Sequence, residues 1–169
     1  MIKSPRRYTL PLLILLLFIT GCAPVISRQT QKEVDKTITF VHIKNSPSGH
    51  RGTVAILGGR IIKIINQSDI TLIEVFQLPL SPAMKPLQDK QKSQGRFLIL
   101  RQGFIDPAEY MNKLVTVAGP LGEPITRPLD KTPYRYPVIV TREFHLWQVG
   151  EERKPLVIPN ISGIILGNQ

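Results

Sequence analysis

Acidic residues, histidine, cysteine and tryptophan are all scarce in this 169-residue chain: 12 Asp and Glu against 22 Lys and Arg, with three His, one Cys and one Trp. The single cysteine, Cys22, excludes an intramolecular disulfide and a cysteine-based zinc cage. His42, His50 and His145 lie far apart, and none has a second histidine three or four residues away, so no histidine motif for metal is present. G-x-S-x-G, P-loop, dinucleotide and H-E-x-x-H signatures are also missing, and neither an enzyme, a cofactor nor a metal is expected. Asp106 and Glu109 come nearest to an acid–base pair, but a place at the start of a helix explains both without chemistry. No apolar run reaches the roughly 20 residues that a helical membrane span requires.

What is present begins with a positive start (Lys3, Arg6, Arg7) and an unbroken apolar run from Leu12 to Ile19, the layout of a secretory signal. The Arg6–Arg7 pair fits an ordinary basic signal start, since its flanks do not suit a twin-arginine signal. Ile19, Thr20, Gly21 and Cys22 then resemble the bacterial lipobox: an aliphatic residue, two small ones and cysteine. Small residues admit the backbone to a signal peptidase cleft, and the thiol is the nucleophile that can form a thioether to diacylglycerol. The expected mature chain starts at Cys22 and is held to a membrane by acyl chains, each buried methylene contributing about 0.8 kcal/mol.

The expected division is a signal segment at 1–21, a lipidated N-terminus and tether at 22–36, a β-domain at 37–150 and a C-terminal tail at 151–169. The tether, Ala23 to Lys36, has too few apolar residues for a core element, and a flexible chain of that length would span about 20 Å. Strand-length runs rich in Val, Ile, Leu, Thr and aromatics follow at Ile38–Ile43, Thr53–Ile65, Thr71–Leu78, Arg96–Leu100, Leu114–Leu121 and Tyr136–Trp147. Gly58 and Gly59 inside the longest run permit a bulge or a sharp bend. Asp106, Pro107 and Glu109 mark a helix start, with an N-cap, proline at the first helical position and a capping-box partner. Strands, a short helix, then further strands is the order of a small OB-fold-like Greek-key barrel, and a small β-sandwich fits the same string. The tail is charged at Glu151–Lys154 and apolar from Ile158 to Leu166; packing onto the domain and docking to a partner or lipid both remain open for it.

The ordered set Gly58-Gly59-Arg60-Ile61-Ile62, Thr71-Leu72-Ile73-Glu74-Val75, Pro79-Leu80 and Gly95-Arg96-Phe97 resembles the Slp family of outer-membrane lipoproteins. The likeness continues through Gly103-Phe104-Ile105-Asp106-Pro107, Tyr110, Val115-Thr116-Val117-Ala118-Gly119, Tyr134, Tyr136-Pro137-Val138 and Leu146-Trp147, covering roughly residues 40 to 148. The resemblance implies the outer membrane of a Gram-negative envelope and a link to starvation, but no settled biochemical activity. Ala23, following the cysteine, agrees with outer-membrane sorting, because aspartate there is the usual signal for inner-membrane retention.

The net charge of +10 falls to +7 once Lys3, Arg6 and Arg7 are removed with the signal segment, so the mature chain is strongly basic. Lys85, Lys90, Lys92 and Arg96, with Arg101 beyond them, form the candidate surface for anionic lipid or envelope glycan; a solvated basic loop explains them equally. Phe76, Phe97 and Phe104 are the candidates for stacking nucleic-acid bases, a function that export and lipid anchoring disfavour, and core packing is their simpler role. The sequence therefore points to a non-enzymatic envelope protein, attached to the membrane through Cys22, with an envelope protein or an anionic lipid or glycan as partner and no defined oligomeric state.

Overall fold

The β-branched and leucine-rich runs do become strands. The computed structural model describes residues 24–148; the signal segment, Cys22, Ala23 and the tail at 151–169 lie outside them. Among the described residues are strands β1 (Val54–Asn66), β2 (Ile70–Gln77), β3 (Arg96–Gln102), β4 (Leu114–Pro120), β5 (Ile125–Leu129), β6 (Thr132–Tyr136), β7 (Val138–Val140) and β8 (Glu143–Trp147). Three short helices accompany them: α1 (Arg28–Glu33), α2 (Phe40–Asn45) and α3 (Pro107–Tyr110). The fold is mainly β, with one six-stranded sheet in the order β7-β3-β2-β1-β4-β8 and a separate β5-β6 hairpin. Only β3 and β7 pair in parallel; the other pairings are antiparallel.

Alternation along the strands sorts the side chains into two faces. One face carries Ala55, Leu57 and Ile61 of β1, Ile73 and Val75 of β2, Phe97 and Ile99 of β3, Val115 and Val117 of β4, and Ile139 of β7, all in a single buried cluster. Phe40 and Ile43 of α2 complete it on one side and Ile105 on another, with the Phe40 ring edge-on to Phe97 at 6.0 Å between centroids. Burial of each such side chain contributes about 1.5–3 kcal/mol, which makes this cluster the main source of stability. At the end of the sheet where β1 turns into β2, the Asn66 amide donates to Ile105 O at 3.1 Å and accepts from Ile105 N at 3.3 Å, pinning the chain just ahead of α3. Asp106 caps α3 as its sequence suggests, accepting from Ala108 N at 2.9 Å.

Several expectations are corrected by this arrangement. A closed barrel does not form: β7 and β8 are edge strands, and only an isolated bridge, Leu121 to Ile139, links the chain after β4 to β7. Ile38–Ile43 is largely helix instead of strand, because Thr39 and His42 form a capping box and the i, i+3 pair Phe40 and Ile43 buries one helical face. The run Tyr136–Trp147 is three pieces: Pro137 separates β6 from β7, and a bend at Thr141–Arg142 starts β8. The irregularity in β1 falls between Ile61 and Lys63, not at the glycines. Gly59 has a different role, since a Cβ there would lie 2.1 Å from Phe76 O. The segment expected as a flexible tether holds α1, and Ile26 is fully buried.

The corner between β7 and β8 presses on β4. A Cβ at Gly119 would lie 1.9 Å from Val140 O and 3.1 Å from Arg142 N, both backbone atoms that cannot rotate away. Gly119→Ala should therefore lower stability by about 2–3 kcal/mol or more through overpacking, seen as a drop in the urea midpoint with β8 amides losing exchange protection first; an unchanged midpoint would show that the corner yields.

Candidate functional site

The chain just behind Cys22 is bound to the last strand. Ser27 caps α1, accepting from Thr30 N at 3.2 Å, and its own backbone N–H donates to the Glu143 carboxylate at 2.7 Å. The Ser27 hydroxyl donates to the same carboxylate at 2.7 Å, and the Thr30 hydroxyl donates to it as well. Arg142, next in the chain, pairs with Glu33 at 2.5 Å. Burial would raise the Glu143 pKa, but the donors Ser27 and Thr30 and the charge of Arg142 outweigh it and hold the carboxyl below its usual value. The result is a latch between the two ends of the domain.

A second polar cluster lies on the sheet face opposite the main core. Glu74, nearly buried, accepts from Arg96 Nη1 at 2.7 Å and from the Tyr136 hydroxyl at 3.2 Å. Burial, then the Glu74 carboxylate, pushes the Tyr136 phenol above its ordinary value, while the hydrogen bond to Glu74 raises the Arg96 pKa further. Tyr134 adds a bond from Arg96 N to its hydroxyl at 3.1 Å and stacks edge-on against Tyr136. These contacts tie the β5-β6 hairpin to β2 and β3, and all of them are explained as fold-holding interactions.

Two recesses complete the picture. β2 ends opposite Gly59, so from Val54 to Leu57 the β2 side of β1 has no neighbouring strand. Beside it lies a cleft of about 240 Å³ walled by Ile38, Phe40, Leu78 and Leu80, with Gln77 and Gln94 as polar members. On the other side of Leu78, a recess of about 220 Å³ is formed by Arg60, Ile62, Phe76, Gln88 and Lys90, so two cations border an apolar floor.

Three of the four basic residues singled out in the sequence have partners within the fold. Arg96 is paired with Glu74, Lys92 pairs with Asp89 at 3.3 Å, and Lys85 sits over the Trp147 ring at 5.5 Å. Lys90 alone of the four borders a recess, in company with Arg60, which sequence spacing did not connect to it. Arg101 lies over the rings of Phe144 and Tyr110 at 5.1 and 5.9 Å. The aromatic platform does not assemble: Phe97 is fully buried in the core, Phe76 pairs with Arg96 on the opposite face, and Phe104 is an exposed loop residue. His42 is a cap, His145 stacks edge-on with Trp147, and among the described residues no three His, Cys, Asp or Glu side chains gather as a metal site would need. Glu143, Ser27 and Thr30 went unnoticed because 116 and 113 residues separate the partners, and no local pattern reports such a contact.

A family model for the outer membrane lipoprotein Slp family matches residues 19–162 of the chain. The chain belongs to the Slp family. It is 30% identical over 136 residues to a protein named outer membrane protein Slp from Escherichia coli K12, covering 79% of this chain and 71% of that one. It is 26% identical to the uncharacterized lipoprotein YeaY of the same organism, over 80% of this chain and 70% of the relative. An uncharacterized protein of Haemophilus influenzae is 33% identical over 54% of this chain and half of its own length. No solved structure matches the chain. Slp membership places the protein among outer-membrane lipoproteins of the envelope, and the names of these relatives include no enzymatic activity. No helix among the described residues is long and apolar enough to cross a membrane.

The latch has a pH signature. Because the folded carboxyl of Glu143 titrates below its usual value, the latch is at full strength above the ordinary glutamate range and is lost as pH falls through the lowered folded value. Glu143→Gln should open α1, costing about 1–2 kcal/mol near neutral pH, and the gap between variant and wild type should close in acid. Amide exchange of residues 27–33 against pH measures this, and a gap independent of pH would assign the effect to packing.

Proposed function

We propose that this Slp-family chain is a non-enzymatic binding or structural module of the envelope, attached through a thioether lipid on Cys22 after removal of residues 1–21. The observation that carries this reading is the latch: the chain emerging from the expected anchor is folded onto the domain by Ser27, Thr30 and Glu143, so a lipid on Cys22 would hold the domain close to the membrane. The docking surface in this reading is the cleft beside β1, where unpaired strand backbone lies next to an apolar wall, an arrangement that accepts an extended segment of an envelope protein. The sheet is read as an opened relative of the OB-fold-like Greek-key barrel. The β1-β2-β3 meander, α3 between β3 and β4, and β7 parallel to β3 support that reading. A role in starvation or envelope stress rests on the family resemblance alone.

Cys22→Ser removes the thiol that would carry the lipid. The variant should keep its signal segment or appear in the soluble fraction, and should lose the mobility shift and acyl label of the wild type. A Cys22→Ser protein that still floats with outer membranes, carrying the same label, would defeat the anchoring reading.

The second reading, a binder of anionic lipid or glycan through Lys85, Lys90, Lys92 and Arg96, is favoured only by Lys90 and Arg60 beside their apolar recess. Arg96 and Lys92 already have carboxylate partners. Reversing Lys85 and Lys90 to glutamate should weaken retention of the detergent-solubilised full chain on an anionic lipid or glycan matrix about tenfold or more, while leaving the unfolding midpoint nearly unchanged. Equal retention would rule this surface out and leave the cleft.

A further inference from the structure

Three cations stand exposed in the segment behind Cys22: Arg28, Lys32 and Lys36, around a shallow depression that Gln31 completes. Arg28 and Lys32 are four residues apart on α1 and so project from the same side of the helix, while Ile26 and Thr30 are buried. Among the described residues none of the three cations has an acidic partner at ion-pair distance. Of the two acids of the stretch, Glu33 is paired with Arg142, while Asp35, held ionised by the N–H and hydroxyl of Thr37, leaves one negative charge beside Lys36. The patch therefore keeps a positive excess of three cations over one carboxylate, with Arg28 and Lys32 on a helix that cannot turn away, because Glu143 holds its buried side to β8.

The position of this patch relative to the anchor is an independent observation. Ile26 is fully buried in the domain and stands four residues beyond Cys22, a separation that an extended chain bridges over at most about 14 Å. Arg28 follows two residues later. A lipid on Cys22 enters the bilayer at the headgroup level, and charges act over about 8 Å at physiological salt. A domain so closely tied brings one surface to the headgroups, and the surface nearest the attachment is the cationic one.

The geometry points to Arg28, Lys32 and Lys36 as a membrane-facing surface that lies against the anionic lipid headgroups of the leaflet holding Cys22. This inference rests on the anchoring reading and adds an orientation to it. α1 lies at the end of the sheet where β1 begins, since Glu143 pairs with Ala118 and Ala118 with Ile56. The β1-β2 turn, with Ser68 exposed at its tip, is at the other end of a 13-residue strand, about 40 Å away. That turn points away from the bilayer. The cleft beside Val54–Leu57 is held close to the headgroups, where it can meet segments of other membrane-bound proteins.

The test uses the full-length lipoprotein, in which the lipid blocks the native thiol and leaves an introduced cysteine free for a fluorophore. Gln29→Cys reports on α1 and Ser68→Cys on the far turn, each reconstituted into phosphatidylglycerol–phosphatidylcholine vesicles that carry a headgroup-linked quencher. Quenching should be several-fold stronger at position 29 than at 68. It should fall at least twofold at position 29, through added salt or through joint Arg28→Glu, Lys32→Glu and Lys36→Glu substitution, with little change in vesicles of phosphatidylcholine alone. If the reversed protein unfolds, the milder Arg28→Gln, Lys32→Gln and Lys36→Gln set replaces it. Equal quenching at the two positions, or quenching at 29 unmoved by charge, would overturn the inference while flotation leaves the anchor reading intact. Failure of the wild type to float with vesicles would overturn the anchor reading, and the orientation with it.

Discussion

Every other part of the sheet depends on the 13-residue strand β1 holding one neighbour along its first half and another, on its other side, along its second. β4 pairs with it from Val54 to Arg60, and β2 from Gly59 to Asn66, so the two pairings overlap only at its middle. The middle is where Gly58 and Gly59 stand. A side chain at Gly59 would strike the backbone of Phe76, and one at Gly58 would strike Leu80 and Pro86 of the loop crossing that face. Thr116, buried beside Gly58, donates to Met84 O at 2.6 Å and accepts from Trp147 Nε1 at 2.9 Å, fastening loop, β4 and β8 at the same point. The offset between β2 and β4 also leaves the first half of β1 without a neighbour on one side, and the cleft follows from that offset.

The polar contacts are placed where hydrophobic packing alone would leave alternatives. Apolar residues occupy both faces of β1 and β2, so burial does not say which covering element belongs where. Glu74 with Arg96 and Tyr136 selects the position of the β5-β6 hairpin on one face, and Glu143 with Ser27 and Thr30 selects that of α1. A buried carboxylate without its donors is costly, which makes the Glu74 cluster a discriminator between registers more than a source of net stability.

Much of this was legible in the sequence, and the failures share a cause. β1 to β4 and the cap of α3 were readable because they rest on local signals: β-branched runs of strand length, turn residues, and an aspartate before proline. Ile38–Ile43 misled because a six-residue apolar stretch fits both periods, and the capping box of Thr39 and His42 decided for helix. β5 was missed because Thr126, Arg127 and Pro128 make it polar on an exposed face, with Asp130 in the left-handed region at φ 56° turning it into β6. The folded state of α1 was invisible because its sequence is polar and its partner lies more than a hundred residues away. The partner of Arg96 was hidden for the same reason, since its pairing with Glu74 is a cross-strand contact that linear charge counting overlooks.

The latch joins residues 27, 30 and 33 to residues 142 and 143, so it closes nearly the whole domain into one loop. Contacts of such sequence separation form late, after the intervening chain has lost its freedom. A polypeptide delivered N-terminus first therefore cannot seat α1 until β8 has arrived. Throughout the time in which the sheet is being built, residues 27–33 are without the partners that hold them in the finished domain. α1 is seated only when the domain is complete, so completion of folding itself times the docking of this segment.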